Sequence, residues 1–424
     1  MAAFEVALRA AVFRQTNELL GWVLQQAVDG LDMAYQARPG EVFKGRMKRQ
    51  VDGLFGSVSI CRDYYHDPAH RSGIAPADAV LGWELGCTPG LARMICRAGS
   101  RETSYQEAEA SLEEIGGRAV SARQIQRMVQ HIGPEVAVWQ KRPARREETT
   151  AKVLYVSADG TGIPMRRAEL EGVAGRQPDG SAKTRQVYLG CVFTQHRVDE
   201  KGSPVRDWDS TTYVSTLGAV DAFGPLLRQE AIRRGLGATA ETVYIVDGAV
   251  GLAAMGAANF PKATQIVDFF HGMEHAGQVV EALLGSRDHP DFKPRHRRWK
   301  RRLLRNGVKS LIAEAQVEAA RLGRDEAANK ALHYFTENVD RMQYRTFRKK
   351  GFFIGSGVVE AGCKTVIGKR CKQSGMHWSR PGASNILNLR CLQHSRRLDA
   401  FWEHRRHQLA SRADTLPLTP SGGG

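Results

Sequence analysis

The chain has 424 residues, 42% of them hydrophobic and 25% charged. That length suggests about two or three domains with cores large enough to need no disulfide or metal staple, and the composition excludes wholesale disorder. Lys plus Arg number 61 against 45 Asp plus Glu, a net charge of +16, which points to a polyanionic partner, most simply nucleic acid. The alternative is a solvated basic surface, and the location of the charge decides between them.

No run of roughly 18 apolar residues occurs, so no transmembrane helix is expected. Glu5, Arg9 and Arg14 interrupt the apolar run a secretory signal would need, so a cytoplasmic location is expected. The seven cysteines include no Cys-x-x-Cys pair, which fits reduced thiols. Cys61, His66, His70 and Cys87 have a spacing that fits no common zinc finger.

Residues 4–36 lack proline and read as one or two amphipathic helices. Residues 41–65 alternate more, hold Gly53 and Gly56, and read as a small basic β element. In residues 103–133 two capping boxes stand out, Ser104 with Glu107 and Ser121 with Gln124. Ala108, Leu112 and Ile115 form the apolar stripe of one predicted helix. Ile125, Met128, Val129 and Ile132 form that of the next, and Gly116-Gly117 begins the turn between them. This reads as a helix-turn-helix over 101–136. Arg123, Gln124, Gln126 and Arg127 lie on the outer face of its second helix, suited to phosphates and base edges. An ordinary helical hairpin with a solvated face would give the same pattern, and both readings stay open.

Residues 137–150 are charged, hold Pro143 and read as a linker, with residues 1–100 before the helical pair forming a helical and small β region. Beyond it, apolar runs at 152–158, 186–194, 242–246 and 264–267 predict strands, and 212–235 reads as a helix. Strands separated by helices indicate an α/β domain over 151–272 with a mostly parallel sheet. Residues 273–354 read as a long, basic, all-helical segment. From Arg287 to Lys350 there are 18 Lys/Arg against 8 Asp/Glu, and residues 295–309 hold eight basic residues and no acidic one. From Lys364 to Arg406 there are ten against two. So concentrated a charge favours the nucleic-acid reading. Trp299, Trp378 and Trp402 lie among these charges and could stack on bases, although tryptophan at helical spacing is more often core. Residues 355–410 read as further helices and 411–424 as a disordered tail.

Two aspartates end apolar strands, Asp159 and Asp247, each followed by glycine. Functional groups in open α/β sheets collect at the carboxyl ends of strands. Two carboxylates there repel unless a cation lies between them, and Mg²⁺ suits hard oxygen ligands. Each Asp-Gly also reads as a plain turn. Glu360, in a helical stretch entered through Gly355-Ser356-Gly357, is the candidate third ligand; its simpler reading is an ion pair with Lys364. Lys364, Lys369, Arg370 and Lys372 on the same stretch, with Trp378 beyond, would line the path of a phosphate backbone.

The ordered set around Asp159, Asp247, Asp268 to His271 and Glu360 resembles the DDE transposases of bacterial insertion sequences, most closely the ISKra-type family related to Mutator-like transposases. The resemblance covers most of the chain. It implies an RNase H-like catalytic core with an all-α insertion, preceded by a mostly helical DNA-binding region. It assigns catalysis and metal binding to Asp159, Asp247 and Glu360, with Mg²⁺ as cofactor and Mn²⁺ as substitute. The long gap from Asp247 to Glu360 would hold the insertion, with Arg297, Arg298, Lys300, Arg301 and Arg302 on DNA. Asp268 and His271 match a Cys/Asp-x-x-His motif and are expected to support the active site or position DNA rather than bind metal; a satisfied core histidine is the simpler reading of His271.

The implied partners are double-stranded DNA, as terminal inverted repeats and target, and further copies of the chain on DNA, with no membrane and a nucleoid-associated location. Two departures from the family stand out. No Cys-x-x-Cys follows Tyr64-Tyr65, which puts an N-terminal zinc module in doubt, and Val250-Gly251-Leu252 stands where an aromatic residue is common. A structure-specific nuclease on the same core, and a DNA-binding descendant without catalysis, are the alternatives.

Overall fold

In the computed structural model, residues 1–143, 145–175 and 177–419 are described. The chain divides into two units, Met1–Ala137 with Arg396–Gly424, and Val138–Ser395.

The first unit opens with a single 33-residue helix, α1 (Ala2–Ala34). A β-hairpin follows, β1 (Val42–Asp52) and β2 (Ser57–Asp67), with β3 (Ser72–Ile74) added to β2, all antiparallel. This is the small β element expected at 41–65. Along β2, Val58 and Ile60 are buried between exposed neighbours, the period of two that a half-buried strand requires. They meet Val28 of α1, Val51, Ala77 and Trp83 in one apolar cluster. Helices α2 (Pro76–Leu81), α3 (Pro89–Arg101), α4 (Tyr105–Glu114) and α5 (Ala122–Gln140) follow.

Both capping boxes form caps. Ser104 Oγ accepts the Glu107 N–H at 3.0 Å. Ser121 N–H donates to Gln124 Oε1 at 2.9 Å, and Gln124 N–H donates to Ser121 Oγ at 3.3 Å. The expected apolar stripes are buried except Ile115, which is 77% exposed because α4 has already ended at Glu114. Helix α5 runs on to Gln140, so the expected linker is shorter than 137–150.

The second unit is built on β4 (Val153–Pro164), β5 (Thr184–Gln195), a minor pair β6 (Arg197–Val198) and β7 (Pro204–Val205), and β8 (Thr212–Thr216). Then come α6 (Val220–Arg233), β9 (Glu241–Val246), α7 (Val250–Asn259) and β10 (Thr264–Val267). The five strands of the main sheet lie in the order β10-β9-β4-β5-β8. Strands β10, β9 and β4 are parallel, while β4, β5 and β8 are antiparallel. The sheet is therefore mixed rather than mostly parallel. Residues 212–216, expected as the start of a helix, form the edge strand β8; Thr212, Val214 and Thr216 are β-branched, and such side chains favour the pleat. One face of the sheet, with Leu154, Val156 and Tyr244, packs on Phe223 and Leu227 of α6 and Leu252 and Met255 of α7.

The remainder of this unit is helical: α8 (Phe269–Leu284), α9 (Phe292–Leu303), α10 (Val308–Leu322), α11 (Asp325–Asn338) and α12 (Tyr344–Lys349). This is the all-helical segment expected over 273–354. Helix α13 (Gly357–Gly362) passes into a π-helical turn at Cys363–Gly368, then α14 (Lys369–Cys371) and α15 (Arg380–His394).

The last helix, α16 (Leu398–Ala413), returns to the first unit. Its Arg405, nearly fully buried, pairs with both Glu84 and Glu135. The tail expected to be disordered from 411 is helical to Ala413, and its Leu418 bridges to Tyr35; residues 420–424 lie outside the described residues. Among the described residues no helix is long and apolar enough to cross a membrane.

Candidate active site

Strand register brings the two aspartates together. The parallel pairing of β4 with β9 ends at Ser157 opposite Ile245. Asp159 and Asp247 each lie two residues further on, so they stand side by side on the sheet face that also carries Ser157 and Ile245. Asp159 is not at a strand end as expected: β4 continues to Pro164, with Asp159 opposite Leu189 of β5. The end that matters is that of the parallel partner, β9. Past it, Asp247 Oδ1 accepts the Ala249 N–H at 2.9 Å, and its carbonyl accepts the Tyr334 hydroxyl at 2.8 Å. Gly248 has φ +88 and lies so near Tyr334 that a Cβ would meet its hydroxyl at 2.9 Å. Both facts demand glycine there.

Helix α13 packs across β4 and β5. Gly362 permits this approach, because a Cβ there would meet the Tyr213 ring at 2.6 Å and Leu189 at 3.0 Å. One residue on, the Cys363 thiol donates to Asp159. Burial pushes the Asp159 carboxyl above the ordinary range and the charge of Asp247 adds to it; bonds from Cys363 and Gly160 and the charge of His271 oppose it.

Asp268 organises the opposite side. Its carboxylate is fully buried and caps α8, accepting the His271 N–H at 2.7 Å. It also accepts the Ser356 N–H, while Phe269 N–H donates to Ile354 C=O at 2.9 Å, so the loop before α13 is tied to the start of α8. Burial alone would raise this carboxyl, yet the bonds from His271 and Ser356 outweigh it and hold it below the ordinary range. His271 Nδ1 lies 3.1 Å from Asp268 Oδ1. That bond is the main cause that pushes the imidazole up to about 9, with the charges of Asp268 and Asp247 helping. Ser356 Oγ donates to Glu360 Oε1 at 2.7 Å.

Donor atoms of Asp268, His271 and Glu360 lie within 4.8 Å of one another. Asp268 and His271, expected only to support the site, thus share a cluster with Glu360. The donor chemistry fits a hard divalent cation: carboxylates crowd the site, and Asp159 is held in a field that favours either a proton or a nearby positive charge. An imidazole kept protonated beside Asp268 offers no lone pair, so the carboxylates are the candidate ligands.

The expected DNA-contacting residues divide by burial. Lys364, Lys369 and Lys372 are exposed, and Lys372 reaches Thr161 Oγ1 on β4. Arg370 and Trp378 are buried, which removes them from any DNA path. The guanidinium lies 5.1 Å from the ring centroid, and the indole N–H donates to Cys371 C=O at 3.2 Å. Trp299 and Trp402 are also core. On α9, Arg297, Lys300 and Arg301 are exposed, whereas Arg298 and Arg302 pair with Glu314 of α10. Arg123 and Arg127 are exposed on α5; Gln124 is exposed but its side chain is engaged in the cap. Ser356, Cys363 and Tyr334 were not singled out from sequence. The Gly-Ser-Gly entry to α13 was the available signal for Ser356, and nothing local marks the other two.

The family UPF0236, described as an uncharacterised protein family, matches residues 4–175, which include Asp159 but not Asp247, Asp268 or Glu360. A Streptococcus gallolyticus protein, "UPF0236 protein in vanSb 3'region", is 28% identical over 157 residues, 34% of this chain and 34% of its own length. The chain thus matches about a third of the length of that curated relative. Among solved structures, the Drosophila P element transposase strand transfer complex aligns over 75% of this chain and 81% of that chain, at 10% identity and a TM-score of 0.27. Residues 4–175 are therefore similar to UPF0236.

Proposed function

We propose that this chain is a DNA transposase of the DDE type, which cleaves element ends and joins the freed 3′-OH to target DNA. The observation that carries the reading is the register that sets Asp159 beside Asp247, with the Glu360 helix packed across β4 and β5 on the strand that bears Asp159. A mixed sheet in the order β10-β9-β4-β5-β8 supports reading the second unit as an RNase H-like core with a helical insertion. Mg²⁺ ions held by Asp159, Asp247 and Glu360 would supply activation of the attacking oxygen and stabilisation of the leaving 3′ oxygen. The chain's own residues prepare that site. Ser356 orients the Glu360 carboxylate, Cys363 holds Asp159, and Tyr334 fixes the turn that carries Asp247. The Asp268–His271 pair keeps a proton, and so a positive charge, beside the carboxylates where a scissile phosphate would lie.

DNA would be held by the exposed cations. Arg123 and Arg127 make α4–α5 the candidate helix-turn-helix for the terminal repeats. Arg297, Lys300 and Arg301 of α9, with Lys364, Lys369 and Lys372, would neutralise backbone phosphates. Two ends must be brought together, so a homo-oligomer on DNA is part of the proposal. The test is manganese binding followed by electron paramagnetic resonance. Two ions per chain are expected, with weakened binding in Asp159→Asn and Asp247→Asn. Unchanged binding in both variants would overturn the assignment.

A further inference from the structure

Helix α1 is apolar on two opposite faces. Its inner face, with Leu20, Leu24 and Val28, packs on the hairpin and its neighbours. Its outer face carries Phe4, Leu8, Val12, Leu19, Trp22 and Met33, all exposed; Leu19 is 61%, Trp22 63% and Met33 82% exposed. An exposed apolar stripe opposite a packed one marks an interaction surface.

The spacing of the outer face selects the cover. From Leu8 the stripe runs through Val12, Gln15, Leu19, Trp22 and Gln26, in steps that alternate four and three. The next step falls on Asp29, which pairs with Arg46, and the stripe resumes at Met33. Steps of four and three keep one seam facing a second helix, the pattern of a two-stranded coiled coil. We infer that the outer face of α1 is a homodimer interface in which α1 of one copy pairs with α1 of another.

Charge and area favour a second copy over other covers. From Leu8 to Gln26 the seam carries no charged side chain, so it can face itself without like-charge repulsion and offers nothing to a phosphate backbone. The helix is about 50 Å long at 1.5 Å per residue. The exposed parts of its six apolar side chains amount to roughly 700 Å², near the ~800 Å² that each partner contributes to a standard interface. Gln15 and Gln26 are polar layers in an apolar seam, the kind of residue that fixes register at a cost in affinity. The inference does not rest on the transposase reading, since it uses no residue of the second unit.

The test is light scattering of the full-length chain over a concentration series in moderate salt. The wild type is expected to dimerise. Val12→Lys with Leu19→Lys is expected to give monomers with an unchanged circular dichroism spectrum, because both positions are exposed in the single chain. Gln15→Leu with Gln26→Leu is expected to shift the monomer–dimer midpoint about tenfold lower, a gain that misfolding cannot imitate. A wild type that stays monomeric at every concentration would overturn the inference, as would a midpoint indifferent to the Gln→Leu pair. So would binding of anionic lipid vesicles that is lost in the lysine variant while the oligomeric state stays the same.

Discussion

Removing the Asp268 carboxylate should loosen the site more than any other single change among its polar groups. In Asp268→Ala the cap of α8 is lost, and the backbone N–H groups of His271 and Ser356 lose their acceptor in a buried setting. The His271 imidazolium loses its nearest counter-charge as well. Each buried unsatisfied donor costs about 1–3 kcal/mol, and breaking a buried pair costs about 3–5 kcal/mol in all. Asn keeps one acceptor oxygen and the cap shape, so Asp268→Asn should cost less, about 2 kcal/mol. The assay is urea unfolding, with hydrogen exchange at α8 amides to place the loss in the second unit. A stability change under about 1 kcal/mol for Asp268→Ala would show that its carboxylate does not hold α8 and the loop before α13.

His271 gives a pH signature. Its folded-state value of about 9 lies above the ordinary 6.5, so the stability it contributes is fully present below pH 6.5 and is lost as pH rises towards 9. The stability gap between wild type and His271→Gln should therefore shrink across that window in denaturation curves run at stepped pH. Gly362→Ala should destabilise by about 1–3 kcal/mol, because its Cβ meets Tyr213 and Leu189, and a thermal melt would show it. Replacing Arg297, Lys300 and Arg301 together by Gln should weaken DNA binding across all sequences and lower the slope of log affinity against log salt by up to about 3. The same change at Arg298 and Arg302 should act less on DNA than on the α9–α10 pairing, read by gel shift beside a melt.

Strands buried on both faces were legible because they leave nearly continuous apolar runs, as at residues 153–158, where Ser157 alone is polar. Strand β8 was not, since it is short and the apolar residues of α6 follow after only a few positions. Nor was the mixed direction of the sheet, because pairing between β4 and β9 joins segments almost ninety residues apart and leaves no local mark. At the site, the two Asp-Gly steps and the glycine-flanked entry to α13 carried local signals. Cys363 carried none, because its role arises only where a π-helical turn crosses β4. Arg370 misled for the same reason. Among lysines it reads as surface charge, yet it is enclosed against the Trp378 ring, where a planar guanidinium can stack.

Whether Asp159, Asp247 and Glu360 cut and join DNA is read from a nicking and strand-joining assay. Purified chain would be given DNA from the flanks of its own gene, with Mg²⁺ or Mn²⁺, beside Glu360→Gln. Metal-dependent cuts at defined flank positions and joined products are expected, both absent in Glu360→Gln, while gel-shift affinity stays nearly unchanged. Retarded DNA with no cut in either metal, or equal cutting by wild type and Glu360→Gln, would contradict the proposed function.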